Sequence, residues 1–227
     1  MNLFSKLLGL PENQAKYRTP LGVALRGVSL RTACCFDADA PARPAPLPTV
    51  ETLSEHERGL IPGLERVVRE LATPIGRNVF HPEELARCEA YLMNQLASVA
   101  PRARVAQRYR PARPFDAVEV SNLEGEFVGR DRAEEILIIG AHYDSIELHD
   151  RVQHAHGNCP AASDNASGVA VTLELARLMQ SAIAHGERPS RTVRFVLFAN
   201  EEPPFFWTND MGSVRYADAC ADKGEKV

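Results

Sequence analysis

The sequence predicts an α/β fold built around a strand–helix–strand unit, and three stretches carry that prediction. "ILIIGAHYDS" (136–145) and "RTVRFVLFAN" (191–200) are apolar runs of strand length, and the first reads as a strand buried on both faces. Between them, "DNASGVAVTLELARLMQ" reads as a helix entered near Asp164 or Asn165. It places Val169, Leu173, Ala176 and Met179 or Gln180 on successive turns. A strand, a helix and a second strand in this order form a βαβ unit, whose strands run parallel with a right-handed crossover.

The remaining elements follow in chain order. Residues 1–50 show no commitment to a core. Their start, "MNLFSKLLGL", reads as a short amphipathic helix rather than a secretory signal, because no small-residue cleavage site follows. They close on "ADAPARPAPLP" (38–48), where four prolines among alanines favour an extended linker. Residues 51–227 then read as one folded domain. Leu60, Leu64, Val67, Val68 and Leu71 recur at helical spacing, and "ATPIGRN" ends that helix at Pro74 and Gly76. A second helix opens at "HPEEL", with Pro82 in its first turn and Glu83 and Glu84 at the positive end of the dipole. Leu85, Cys88, Leu92, Leu96 and Val99 form its inward stripe. "ARVAQRYR" and "FDAVEVSNLEG" alternate as two strands. "TNDMGSVRYADAC" is a last helix, with Asn209 or Asp210 able to cap it.

Composition excludes several classes. A net charge of −4 leaves no nucleic-acid footprint and no polybasic membrane patch. No apolar stretch approaches the length of about 20 residues that a membrane span needs. The five cysteines are odd in number and form no CxxC pair, which argues for a reducing, cytoplasmic compartment. Oligomeric state leaves no signal.

Both apolar strands end on charged residues. The first delivers His142 and Asp144, the second Glu201 and Glu202, and the start of the intervening helix delivers Asp164. Ligands of open α/β sheets bind beyond the carboxyl ends of strands, so neighbouring strands would gather all five groups on one rim. An imidazole among carboxylates suits zinc or a similar divalent ion. Asp144 can orient His142 through the second ring nitrogen, and Asp164 can bridge two cations. Adjacent residues on an extended chain point to opposite sides, so one of Glu201 and Glu202 can ligate while the other serves as general base. Each feature alone has a bland reading: a surface cap, a solvated helix entrance, an ordinary N-cap. Their convergence is what points to a metal. His149, His154, His156 and Cys159 offer a rival site in the polar stretch 146–163, with spacing that matches no known zinc cage. "PPFFW" (203–207) supplies either an apolar wall beside the metals or packing.

"GAHYDS", "SDNASGVA" and "FANEEPPFFWTNDMGS" resemble the successive signature blocks of the di-zinc aminopeptidases, peptidase family 28 of clan MH, which also contains the glutaminyl cyclases. The resemblance runs from about residue 58 to the C-terminus. It implies a three-layer phosphorylase/hydrolase-like α/β fold with a mixed, mainly parallel sheet, and two zinc ions at the sheet's carboxyl edge. It further implies His142 as a ligand of the first zinc, Asp164 as the bridging carboxylate and Glu202 as a ligand of the second. Glu201 becomes the base that activates water and Asp144 the carboxylate behind His142. The substrate implied is a peptide or aminoacyl compound, cleaved at its N-terminal bond. The alternatives are glutaminyl cyclisation on the same scaffold and a non-catalytic binding module. The family's further acidic and histidine ligands have no counterpart before "ACADKGEKV", so the sequence resembles the N-terminal part of such an enzyme, truncated at the C-terminus. The interval between His142 and Asp164 is also longer than in compact members.

Overall fold

The computed structural model describes residues 53–72, 76–146 and 160–227. The expected N-terminal helix and linker, and the rival histidine-rich loop with Cys159, lie outside the described residues.

Helix α1 (Glu55–Ala72) and helix α2 (Pro82–Val99) form where the apolar stripes predict them. Val67 and Leu71 of α1 are buried, with Leu64 and Val68 packed beside them. All five inward residues of α2, from Leu85 to Val99, are buried. Each leucine or valine so removed from water contributes about 1.5–3 kcal/mol. Pro82 starts α2 without losing a hydrogen bond, since the first N–H groups of a helix have no partner within it.

The sheet contains β1 (Arg104–Tyr109), β2 (Val120–Phe127), β3 (Arg132–His142) and β4 (Arg191–Phe198) in the order β1-β2-β4-β3. It is mixed. β3 and β4 pair in parallel across helix α3 (Ser167–Ala184), as the βαβ reading requires. β1 with β2 and β2 with β4 pair antiparallel, so one of the three described pairings is parallel.

Alternation along β4 defines the layers. Val193, Phe195 and Leu197 face a core shared with α1, α2 and α3. Val196 faces the opposite side, with Tyr216 and Cys220 of helix α4 (Gly212–Asp222). The result is helices, sheet, helix.

Two expectations change. β3 is not buried on both faces: it is the outer strand of the described sheet, and Leu137 is 49% exposed. The inner strands β2 and β4 are the ones buried along all or nearly all of their length. On its outer side, β3 begins a further parallel pairing, where the Ile136 N–H donates to the Lys226 carbonyl at 2.8 Å. The second change concerns α4, which starts at Gly212 with no side-chain cap. Asp210 is engaged elsewhere, accepting the Ala112 N–H (2.8 Å) and an Arg215 Nη2 hydrogen bond (2.6 Å). Gly212 lies so close to the sheet that a Cβ would stand 2.3 Å from the Ala199 carbonyl oxygen. Only glycine lets α4 approach the end of β4 this closely.

Candidate metal centre

The parallel pairing decides where the polar residues meet. His142, the last residue of β3, is in register with Phe198, the last residue of β4. Beyond it, the Tyr143 N–H still donates to the Phe198 carbonyl (2.9 Å). The buried Tyr143 phenol donates toward Glu89 Oε1 and the Ser121 carbonyl, each at 2.8 Å. With Tyr143 anchored in this way, His142 and Asp144 flank a fixed point.

β4 leaves the sheet through Asn200, which has a left-handed φ of 55°. Asparagine tolerates that region better than most residues. The bend brings the backbone N–H groups of Glu201 and Glu202 onto the Asp144 carboxylate, at 3.0 Å to Oδ1 and 2.9 Å to Oδ2. Asp144 is buried, so both charge-assisted bonds are shielded from water.

Asp164 arrives from an irregular turn over Ala162–Ala166, in which Asp164 and Asn165 are not helical. Asn165 Oδ1 accepts the Gly168 N–H (2.9 Å) at the start of α3. A Cβ on Gly168 would stand 2.2 Å from that oxygen, so glycine permits the contact. Asn165 thus receives the helix N-terminus, and the exposed Asp164 carboxylate turns to His142.

The residues predicted as a rim do come together. His142 Nε2 lies 3.0 Å from Asp164 Oδ1 and 3.8 Å from Glu201 Oε2. One donor atom each from His142, Glu201 and Glu202 lies within 4.8 Å of the others, a spacing that can hold a metal ion. The second ring nitrogen, Nδ1, is buried and 3.4 Å from Asp144 Oδ1, without hydrogen-bond alignment. Burial lowers the basicity of the imidazole, but Asp144, Glu201 and Asp164 outweigh it and push its pKa up to about 9. Burial and the charges of Asp144 and Asp164 push Glu202 up to about 7. Glu201 is raised as well, first by burial. Glu201 and Glu202 are thus both raised beside a basic imidazole, which is the electrostatic setting of a divalent-ion site.

One geometric expectation fails. Glu201 and Glu202 do not point to opposite sides, because the chain is not extended there. It turns at Asn200 and again where the Phe205 N–H donates to the Glu202 carbonyl (3.0 Å), and both carboxylates reach toward His142. In "PPFFW", Phe205 is packing: it is buried and meets the Phe115 ring edge-to-face at 5.4 Å. Trp207 is 61% exposed.

Two participants were not anticipated. Asn200 supplies the bend, and the only hint in the sequence is an asparagine at a strand end. Arg77 is almost completely buried beside Tyr143, and an arginine in a polar inter-helix segment carries no signal of that.

The profile of Peptidase family M28 matches residues 122–224, which hold His142, Asp144, Asp164, Asn200, Glu201 and Glu202. The chain belongs to peptidase family M28. It is 36% identical over 155 residues to the uncharacterised protein YfbL of Escherichia coli, covering 68% of the present chain and 44% of that one. The M28 chain is also 34% identical over 85 residues to a protein of Pyricularia oryzae named "Probable zinc metalloprotease", over 37% of its own length and 16% of the relative's. Among solved structures, the glutaminyl cyclase of Fimbriiglobus ruber superposes with a TM-score of 0.55 at 24% identity. That superposition covers 82% of the M28 chain and 62% of the cyclase, and it shows the shared fold. The chain therefore spans less than half the length of the curated relatives it matches.

Proposed function

We propose that this M28 chain carries the N-terminal part of a zinc-dependent exopeptidase centre that hydrolyses N-terminal peptide bonds. The observation that carries this reading is the meeting of His142, Glu201 and Glu202 donor atoms within 4.8 Å, with Asp164 Oδ1 3.0 Å from His142 Nε2. The charge imbalance supports it, since raised pKa values on Glu202 and His142 are relieved when a cation binds. The name of the Pyricularia relative points to the same metal.

In this reading His142 and Asp164 would hold a first zinc, and Asp164 and Glu202 a second. Zinc supplies Lewis acidity and lowers the pKa of water to about 7. Glu201, the carboxylate not assigned as a ligand, takes a proton from water and returns it to the leaving amine nitrogen. Asp144 holds the backbone of both glutamates and faces Nδ1, keeping Nε2 turned to the centre. The substrate is a peptide or aminoacyl compound with a free N-terminus. No helix among the described residues is long and apolar enough to cross a membrane. Cys88 and Cys220, both buried free thiols, support a reducing, cytoplasmic setting.

The test pairs zinc content with turnover of an aminoacyl p-nitroanilide. Wild type binds zinc after dialysis, and Glu201→Gln binds it equally while hydrolysis falls by about 10²–10⁴-fold. A Glu201→Gln protein that keeps its rate overturns the assignment of the base. A protein that holds no zinc overturns the metal reading. Cyclisation of an N-terminal glutaminyl peptide without cleavage would reassign the reaction to the cyclase type.

A further inference from the structure

We infer that Arg77 is a positioning residue that locks together the two chain segments delivering His142 and Asp164. The inference rests on the metal-centre reading above for its purpose, although its geometry stands independently.

Arg77 is 1% exposed, and its guanidinium spends every nitrogen on backbone carbonyls. Nε donates to the Tyr143 carbonyl at 2.8 Å, between His142 and Asp144. Nη2 donates to the Ala161 carbonyl at 3.2 Å. Nη1 donates to the Pro160 carbonyl at 3.2 Å and, over a short contact, to the Leu71 carbonyl near the end of α1. The Arg77 backbone adds a reciprocal clasp: its N–H donates to Ser145 Oγ (2.8 Å) and its carbonyl accepts the Ser145 N–H (3.1 Å).

These acceptors belong to three segments that no helix or sheet ladder joins. Ala161 matters most, because it opens the turn that carries Asp164. It adopts a left-handed φ of 47°, and its carbonyl also accepts the Ala166 N–H (3.1 Å). Asp164 itself is exposed, so few contacts other than its own turn define where its carboxylate sits. The Arg77 fork sets that turn against the strand end bearing His142, and so sets the distance between two groups assigned to one zinc. Lysine cannot reproduce this, since a point charge on a flexible stem lacks a rigid planar fork.

The experiment compares Arg77→Lys with Leu173→Val, a change in the α3 core that lowers stability away from the centre. Three quantities are measured for each: zinc affinity by competition with a chromophoric chelator, the urea midpoint, and the His142 imidazole ¹H–¹⁵N signals of metal-free protein. Arg77→Lys is expected to weaken zinc by about 10–100-fold, the usual effect of losing a group that orients ligands. It should also shift and broaden the His142 signals without any metal present. Leu173→Val should lower the midpoint and leave both site readouts unchanged. The inference is overturned if Arg77→Lys keeps zinc affinity within twofold with unmoved imidazole signals. It is equally overturned if Leu173→Val moves them as much. Should Arg77→Lys fail to fold, Ser145→Ala removes one strut and must give the same signature at smaller amplitude. Wild-type protein that binds no zinc sinks the metal reading alone, and the imidazole signals still decide the role of Arg77.

Discussion

Two clusters of carboxylates attach to β4, one on its face toward α4 and one beyond its carboxyl end, and they meet the same electrostatic problem differently. On the α4 face, Arg194 donates to Glu126 (2.9 Å) and to both oxygens of Glu225 (2.7 and 3.0 Å). Arg102 and Arg104 reach Glu126 and Glu124 from the side of β1, at 3.1 and 2.7 Å, and the Tyr216 hydroxyl also bonds Glu124. Every carboxylate there has a guanidinium. The Arg194 fork holds Glu225 down at about 2, and Glu126 is lowered despite its burial. At the strand end, four carboxylates share one imidazole, and Glu202 rises to about 7. A cluster that carries its own cations is complete as structure and holds α4 to the sheet. A cluster that lacks them has the charge balance that an external cation would complete. Charge balance, rather than the number of acidic residues, separates the two.

The largest expected effect falls on the balanced cluster. Arg194→Met strands buried carboxylates and should cost about 3–5 kcal/mol in urea unfolding. A loss below 1 kcal/mol, on the order of one ordinary hydrogen bond, would mean that this cluster is not a buried network. Asp144→Asn comes next, because the amide keeps one acceptor for two N–H donors and forfeits the charge. About 1.5–3 kcal/mol should be lost, and zinc affinity should fall with it in chelator competition.

The clusters also differ in the sign of their pH dependence. Glu202, raised from 4.5 to about 7, favours the folded state below about 4.5, and that advantage disappears as pH rises through 7. Glu225, lowered from 4.5 to about 2, contributes fully above about 4.5 and loses its contribution as pH falls toward 2. Metal-free Glu202→Gln should therefore flatten the stability profile between pH 4.5 and 7, and Glu225→Gln should flatten it between 2 and 4.5. Chemical denaturation of both variants across pH checks this, and slopes of the same sign would break the contrast. The smallest effect belongs to the exposed edge. Leu137→Thr on β3 should change stability by less than about 0.5 kcal/mol, and a larger loss in thermal melts would show that this edge is covered in solution.

Local pattern made most of the elements legible. The stripe from Leu85 to Val99 becomes the buried face of α2, and the apolar runs at 136 and 191 become neighbouring parallel strands, because burial follows periodicity within one element. The rim of His142, Asp144, Asp164, Glu201 and Glu202 was legible for the same reason: a βαβ unit leaves little freedom over which strand ends meet. The antiparallel join of β2 with β4 was not, since strand neighbours far apart in sequence carry no local signal. Nor was the edge position of β3, whose apolar run looks the same at an edge as at a centre.

By itself, then, the sequence determined the elements, the parallel unit and the residues that face one another across it, since these depend on period and on short connections. Only the tertiary structure decided that Asn200 turns both glutamates inward, that Asp210 leaves its cap for Ala112 and Arg215, and that Arg77 clasps carbonyls of three chain segments. Those choices are settled by competition among partners for each polar group, and the winning partner is fixed only when distant segments are packed together.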